Sequence, residues 1–194
     1  MPPTDTDERR LRFESLTLPL MQVLYASARR LAGDPEDAAD LLQETYLRAY
    51  RTFDNFRLGT NCKAWLFTIL YSVFFNRRKQ RQREVGPLPP DVLEQRFNAY
   101  IEAPAGPEDE LDNAPEPGLR WSRDVEAALG ALPAAFRAAV LLVDVEELSY
   151  EDAATALGCP VGTLRSRLFR GRRLLFAALH DYARRTGYRG RMDP

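Results

Sequence analysis

Five arginines lie between residues 165 and 173, interleaved with Ser166 and Phe169. Arginine suits guanine edges and phosphates, serine suits several base edges, and phenylalanine can contact a thymine methyl group. A helix that presents these side chains outward would fit the major groove of DNA. The pattern therefore predicts a nucleic-acid-binding helix. The alternative is a solvated arginine-rich face with Phe169 packed in the core.

Two short helices joined by a tight turn are needed to position this face. Ser149 can cap the first helix by accepting from the backbone N–H of Asp152, whose carboxylate can reach back as in a capping box. Gly158 fits the left-handed position after a helix end, and Pro160 can open the next helix. Apolar residues then recur at helical spacing on the inward side of the second helix: Val161, Leu164, Leu168 and Leu175. The stretch from 149 to 176 is therefore predicted to be a helix-turn-helix.

The composition is that of a water-soluble globular protein, with 45% hydrophobic and 28% charged residues among 194. No apolar run reaches the roughly 18 residues of a membrane span, and the polar, acidic N-terminus is unlike a signal peptide. We therefore expect a cytoplasmic protein without membrane insertion. Cys62, Cys159 and the single histidine, His180, lack zinc-finger spacing, so no metal and no cofactor is expected.

The net charge of −1 conceals three segments of different charge. Residues 1–83 carry a net charge of +4, residues 84–119 carry −8, and residues 120–194 carry +3. The middle segment is also rich in proline, which is typical of a linker. We predict two mildly basic modules, residues 11–84 and 120–187, joined by an acidic linker over 85–119.

Helical periodicity runs through both modules, and the predicted fold class is all-α. One amphipathic helix is expected from Phe13 to Leu31, with its firm part starting near Pro19, and Gly33 should end it. A second helix opens at Pro35, and after a loop at 55–61 a strongly apolar helix runs into the basic stretch 76–83. The second module is expected to contain two further helices, around 121–132 and 133–143, before the helix-turn-helix.

Three stretches together resemble the extracytoplasmic-function (ECF) sigma factors of the sigma-70 family. They are DLLQETYLRAYRTFDNF at 40–56, GTNCKAWLFTIL at 59–70 and SYEDAATALGCPVGTLRSRLFRGRRLL at 149–175. The resemblance implies sigma region 2 in the first module and sigma region 4 in the second. It further implies binding to RNA polymerase core, at the clamp helices of the large subunit and at the flap, recognition and opening of promoter DNA, and an anti-sigma partner. The string GTN-KAWL is most similar to the subgroup that answers thiol or oxidative stress.

The resemblance also assigns roles to individual residues. Polymerase contact falls on residues of the second helix: Asp40, Leu41, Gln43, Glu44 and Arg48. Minus-10 recognition and melting fall on the loop and the helix after it: Asn61, Cys62, Lys63, Trp65, Ser72, Arg77 and Arg78. Minus-35 recognition falls on Arg165, Ser166, Phe169 and Arg170, and phosphate contacts on Thr163, Arg167, Arg172 and Arg173.

Three other functions are weighed against this one. A stand-alone helix-turn-helix regulator would usually be a symmetric dimer, and the sequence shows no dimerising coiled coil. A polymerase-binding adaptor would keep the surface from Asp40 to Arg48 and would not depend on Arg165 and Arg170. An enzyme is disfavoured, because the chain has no glycine-rich phosphate loop and its carboxylates lack a second catalytic partner.

Overall fold

The computed structural model describes residues 5–85 and 123–185, with side chains from 7 to 81 and from 123 to 180. The described residues form helices joined by short turns and include no strand, which confirms the all-α prediction. Nearly all of the predicted linker, Trp121 and the tail after 185 lie outside the described residues.

The first module begins with two helices where the sequence predicted one. Helix α1 spans Asp5–Thr17, a 3-10 turn follows at Leu18–Leu20, and α2 spans Met21–Ala32. Pro19 has no N–H to donate and therefore interrupts the hydrogen-bond ladder. The expectation that firm helix starts near Pro19 is wrong, because α1 precedes it and the Thr17 hydroxyl donates to the Phe13 carbonyl at 2.9 Å.

Local signals set the junction between α2 and α3 as predicted. Gly33 has a φ of +82°, and its N–H donates to the Arg29 carbonyl. Asp34 then caps α3, Pro35–Arg51, by accepting from the N–H groups of Glu36 and Asp37. A 3-10 turn at Phe53–Asn55 follows.

A 24-residue helix, α4, spans Cys62–Val85 and forms the centre of the first module. Asn61 caps it, since its Oδ1 accepts from the Ala64 N–H at 3.1 Å. The buried side of α4 supplies much of the core through Leu66, Phe67, Leu70, Tyr71 and Val73. The apolar stretch predicted from 63 onward is confirmed as helix, and it continues without a break into the basic residues.

Over residues 123–185, the second module contains four helices and one π-helical segment. Helix α5 spans Arg123–Ala131, α6 spans Ala134–Val140, and a π-helical segment covers Leu141–Val145. Helices α7, Tyr150–Ala156, and α8, Val161–Arg185, form the helix-turn-helix.

The predicted turn chemistry of the helix-turn-helix is present. The Ser149 hydroxyl accepts from the Asp152 N–H at 3.0 Å, and Gly158 has a φ of +57°. In a capping box the Asp152 carboxylate would also accept from the Ser149 N–H. Here that contact is replaced, because the carboxylate accepts from the Asn61 amide of the first module at 3.3 Å.

The two modules pack directly against each other. Helix α4 contacts α7, and α2 contacts α5 and α6. Buried residues from both modules form one continuous hydrophobic cluster. The described fold is therefore a closed arrangement in which the helix-turn-helix lies against the first module.

Candidate nucleic-acid and polymerase interfaces

The outer face of α8 presents the side chains that the sequence predicted for base reading. Leu164 and Leu168 are buried beneath it, while Arg165, Ser166, Phe169 and Arg170 are exposed. Phe169 is 67% exposed, which rules out the alternative that it fills the core. An exposed phenylalanine between arginines is suited to contact with thymine methyl groups and guanine edges.

Contacts within the second module restrain two arginines of α8, Arg165 and Arg172. The Arg165 guanidinium lies over the Tyr150 ring, 5.5 Å from its centroid, which links the start of the reading face to α7. Arg172 makes a bidentate ion pair with Asp144, in which Nε donates to Oδ2 at 3.0 Å. This hydrogen bonding raises the pKa of Arg172 above its ordinary value. Arg172 therefore fastens α8 to the segment before α7.

The remaining residues predicted for phosphate contact differ in exposure. Arg173 is exposed, whereas Thr163 and Arg167 are half-buried at the edge of the reading face. The Thr163 carbonyl accepts from the Ser166 hydroxyl at 2.9 Å. Arg173 is thus the member of the set that is most accessible to a DNA backbone.

The residues predicted for minus-10 recognition do not form one surface. At 100° per residue, Trp65 and Ser72 lie on one side of α4, and Lys63 and Arg77 lie on the opposite side. Ser72 is exposed, as are Asn76 and Lys79 on the same side. Asn76 and Lys79 were missed as candidates, and counting helical turns onward from Trp65 would have found them.

An aromatic cluster supports the loop before α4. The Trp65 ring lies 4.8 Å from that of Phe56, and Phe53 packs on both at slightly greater distance. Trp65 and Phe56 remain half-buried, so ring surface stays accessible beside the loop. Such surface is suited to stacking on an unpaired base.

Cys62 is directed toward α1 and is only partly accessible. Its thiol lies 3.7 Å from the Leu16 carbonyl. Burial raises the pKa of Cys62 above that of an ordinary thiol, so the thiolate fraction at neutral pH is reduced. Cys159 is half-buried in the turn of the helix-turn-helix. Within the described side chains, no group of three or more His, Cys, Asp or Glu could hold a metal ion.

Lys63 and Asn61 are both occupied by the second module. The Lys63 ammonium donates to the Glu146 carbonyl at 2.8 Å and lies 3.3 Å from Glu146 Oε2. Glu146 is only 5% exposed, and its burial raises the pKa of its carboxyl, an effect that Lys63 partly opposes. Asn61 donates to Asp152, as described above. In this arrangement Lys63 is half-buried against the second module, whereas Asn61 stays exposed while its amide donates to Asp152.

The outward face of α3 carries the residues predicted to contact polymerase, with one correction. Asp40 and Gln43 are exposed, and Glu44 and Arg48 are partly exposed. Leu41 is only 2% exposed and belongs to the core, so it cannot present its side chain to a partner and its assignment was wrong. Leu47, one turn after Gln43, is 51% exposed and was missed, although its helical spacing from Gln43 marks it.

Ion pairs connect this face to the basic end of α4. Glu44 accepts from Arg77 at 2.7 Å and from Arg48 at 2.6 Å, and Arg77 also donates to the Asp40 carbonyl. Arg81 pairs with Asp37 through two hydrogen bonds, which lower the pKa of that carboxyl. Arg78, nearby on α4, is half-buried. The predicted polymerase surface and the predicted upstream DNA contact at Arg77 are therefore adjacent.

Within residues 5–85 and 123–185, these features define an all-helical arrangement in which a helix-turn-helix with an exposed arginine-rich face packs against a second helical module. None of the described helices is long and apolar enough to cross a membrane. Family models of sigma-70 region 2 and of sigma-70 region 4 match residues 18–84 and 122–175.

Relatives of known identity extend the match over most of the chain. The ECF RNA polymerase sigma factor SigE of Mycolicibacterium smegmatis is 38% identical over 164 residues, covering 84% of this chain and 60% of SigE. The ECF RNA polymerase sigma factor EcfG of Rhodopseudomonas palustris is 38% identical over 157 residues, covering 81% of this chain and 79% of EcfG. The chain belongs to the ECF family of RNA polymerase sigma factors.

A solved structure is similar in fold as well as in sequence. The sigma factor RpoE of Bartonella quintana, solved in complex with the anti-sigma factor NepR, matches with a TM-score of 0.64 and 33% identity. The match covers 87% of this chain and 97% of the RpoE chain. The resemblance to ECF sigma factors identified from the sequence is thus confirmed.

Proposed function

We propose that this chain binds bacterial core polymerase, recognises the minus-35 and minus-10 promoter elements, and promotes promoter opening and transcription initiation. The observation that carries the proposal is the exposed reading face of α8, formed by Arg165, Ser166, Phe169 and Arg170 above the buried Leu164 and Leu168. The presence of sigma region 2 in the same chain supplies the second promoter contact and the polymerase contact.

Each module has a distinct role in this proposal. Region 4, residues 120–187, reads the minus-35 element, and Arg173 contacts phosphate with help from Thr163 and Arg167. Region 2, residues 11–84, captures and melts the minus-10 element with the loop at 57–61, Trp65 and the exposed side of α4. Residues 85–119 connect the modules.

The polymerase contact is assigned to the exposed face of α3. Asp40, Gln43, Glu44 and Arg48 offer charged and amide groups to a basic partner helix, and Leu47 adds an apolar contact at the centre. Leu41 supports this face from beneath. The large-subunit clamp helices are the proposed partner here, and the flap is the proposed partner of region 4.

Regulation is proposed to resemble that of the similar RpoE, which was solved with an anti-sigma factor. An anti-sigma partner would hold this chain until a stress releases it, in the cytoplasm where promoter DNA lies. The string GTNCKAWL at 59–66 favours thiol or oxidative stress as the signal. The half-buried state of Cys62 argues that a sensing thiol belongs to the partner. The proposal assigns no enzymatic step to this chain.

Run-off transcription tests the proposed function directly. Purified chain with bacterial core polymerase, on a library of genomic fragments, is expected to produce discrete new start sites that share minus-35 and minus-10 sequences. Core polymerase alone serves as the control. If the chain binds core polymerase but yields no new start sites, the adaptor function replaces the proposal.

Truncating Leu47 tests the polymerase face. Leu47→Ala is expected to weaken binding to core polymerase by roughly 10- to 150-fold, because a leucine buried at an interface contributes about 1.5–3 kcal/mol. Leu11→Ala is the matched control, since Leu11 is similarly exposed but lies on α1. Affinities can be measured by titrating labelled chain with core polymerase, and equal affinities for both variants would remove Leu47 from the contact.

A further inference from the structure

Tyr150 of α7 lies between two arginines of α8. Its ring faces the guanidinium of Arg165, whose central carbon is 5.5 Å from the ring centroid. Hydrogen bonding with Asp144 is the main cause of the raised pKa of Arg172, and the Tyr150 hydroxyl contributes to it. Arg165 and Arg172 lie on the same side of α8, about 10 Å apart along its axis. One tyrosine therefore interacts with both arginines.

The position of Tyr150 is itself fixed by α7 and by the core. Tyr150 is the first residue of α7 and follows the Ser149 cap directly. Its side chain is half-buried and packs against the hydrophobic core. On the outer side, the bidentate pair of Arg172 with Asp144 joins α8 to the π-helical segment. The Tyr150 ring is thus held in place from two sides, whereas Arg165 above it is exposed.

Restraint of Arg165 affects recognition because an unrestrained arginine side chain has many rotamers. A guanidinium that is already oriented loses less conformational freedom when it binds a base. Arg165 is the fifth residue of α8, and the N-terminal residues of a recognition helix are those that meet base edges. A guanidinium that rests on a ring through its face keeps its in-plane N–H donors available for a guanine. The contact with Tyr150 is therefore compatible with base reading.

We propose that Tyr150 is a positioning residue for minus-35 recognition, which holds Arg165 in the orientation that meets its base. Arg172, predicted from the sequence to contact phosphate, instead holds the Tyr150 hydroxyl beside Asp144. This inference rests on the proposed function for its biological meaning. The restraint of Arg165 itself is tested without polymerase or DNA.

Tyr150→Leu is the principal test, and Tyr150→Phe is its matched control. Leucine keeps an apolar side chain against the core but removes the ring, whereas phenylalanine keeps the ring and removes only the hydroxyl. Full-length chain with core polymerase transcribes a promoter set in which each base pair of the minus-35 element is substituted in turn. Arg165→Ala identifies the base pair that Arg165 reads. At that base pair Tyr150→Leu is expected to lower discrimination roughly 2- to 10-fold, and Tyr150→Phe to stay within about twofold of the wild type.

Arg170 separates positioning from a general structural effect. It lies on the same helix but about 140° around the axis from Arg165, so discrimination at the base pair that it reads should not change in Tyr150→Leu. In a chain that already carries Arg165→Ala, Tyr150→Leu should have no further effect on discrimination. An equal loss at every base pair, or a further loss beside Arg165→Ala, overturns the positioning role, because either result indicates a phosphate contact or a loss of structure.

The mobility of Arg165 gives a readout in the free, full-length chain. The NMR order parameter of the Arg165 Nε–Hε bond is expected to be that of a restrained group in the wild type and in Tyr150→Phe. In Tyr150→Leu it should fall below about 0.6, the range of flexible groups. If circular dichroism shows that Tyr150→Leu loses helix, Tyr150→Met replaces it in both measurements, since methionine fills irregular space without a ring.

The positioning role and the proposed function fail in different ways. Start sites with unchanged discrimination in Tyr150→Leu overturn the positioning role and leave the sigma function standing. An absence of start sites with the wild-type chain overturns the sigma function, and the order parameter of Arg165 then decides the restraint. Equal order parameters in the wild type and Tyr150→Leu overturn the restraint, and a fall in Tyr150→Leu that Tyr150→Phe does not share supports it.

Discussion

Replacing Arg165 and Arg170 together by alanine is expected to abolish preference for the native minus-35 sequence in run-off transcription. Both side chains are exposed on α8, one turn apart from Phe169 and Ser166, and lie above the buried Leu164 and Leu168. Each lost base contact should cost about 1–3 kcal/mol of discrimination, or roughly 5- to 150-fold. Affinity for core polymerase should stay nearly the same, because the proposed clamp contact lies on α3 and both arginines are assigned to DNA and not to the flap.

Arg173→Ala provides the comparison for this double variant. Arg173 is exposed on the same helix but is assigned to phosphate, so its loss should weaken binding on all sequences alike. Its removal should also reduce the salt dependence of binding by about one charge. The measurement is run-off yield on promoters with intact and substituted minus-35 elements. Unchanged promoter selection by the double variant would favour an adaptor that does not read DNA.

Helices set by local chemistry could be predicted from the sequence alone. Ser149, Gly158 and Pro160 fix the ends of α7 and α8 through caps and a left-handed turn, and Gly33 and Pro35 do the same between α2 and α3. These signals act within a few residues, so no knowledge of the fold was needed. Hydrophobic periodicity did not reveal the end of α1 near Pro19, because the apolar repeat continues through the 3-10 turn that interrupts the helical hydrogen bonds.

The candidate site was predictable where one helix carries it. On α8 the buried leucines fix which side faces solvent, and the four reading residues follow from helical spacing. On α3, Leu41 belongs both to the apolar stripe and to the polymerase motif of the sequence. In the structure its side chain is buried in the core with the rest of the stripe. The sequence prediction placed Lys63 and Trp65 in one site. Residues two positions apart on a helix point to nearly opposite sides, so these two side chains cannot share a surface.

Pairing across the modules could not be read from the sequence. Lys63 and Glu146 are 83 residues apart, and Asn61 and Asp152 are 91 apart. Charge and helical spacing indicate that each of these four side chains needs a polar partner, but many surface residues could be that partner. Only the packing of α4 against α7 selects the partners, and that packing depends on the whole core.

Gly171→Ala is expected to destabilise the helix-turn-helix module, although alanine is the better helix former. A Cβ at position 171 would lie 2.8 Å from Val140 Cγ2 and 3.1 Å from the Phe136 carbonyl oxygen, both on α6. Neither atom can yield easily, since valine in a helix has one strongly preferred rotamer and the carbonyl belongs to the backbone. The strain should therefore exceed the propensity gain, for a net loss of about 1–3 kcal/mol.

Gly162→Ala gives the opposite expectation in the same helix. Gly162 is exposed near the start of α8, and a Cβ there would meet nothing within 4 Å. Its substitution should stabilise the module by up to about 1 kcal/mol through reduced freedom of the unfolded chain. Urea unfolding followed by circular dichroism at fixed protein concentration compares the two variants. Because α6 supports α8 at Gly171, a loss of stability there should also reduce minus-35 discrimination. Equal stability of the two variants would show that α6 and α8 do not approach each other closely at this point.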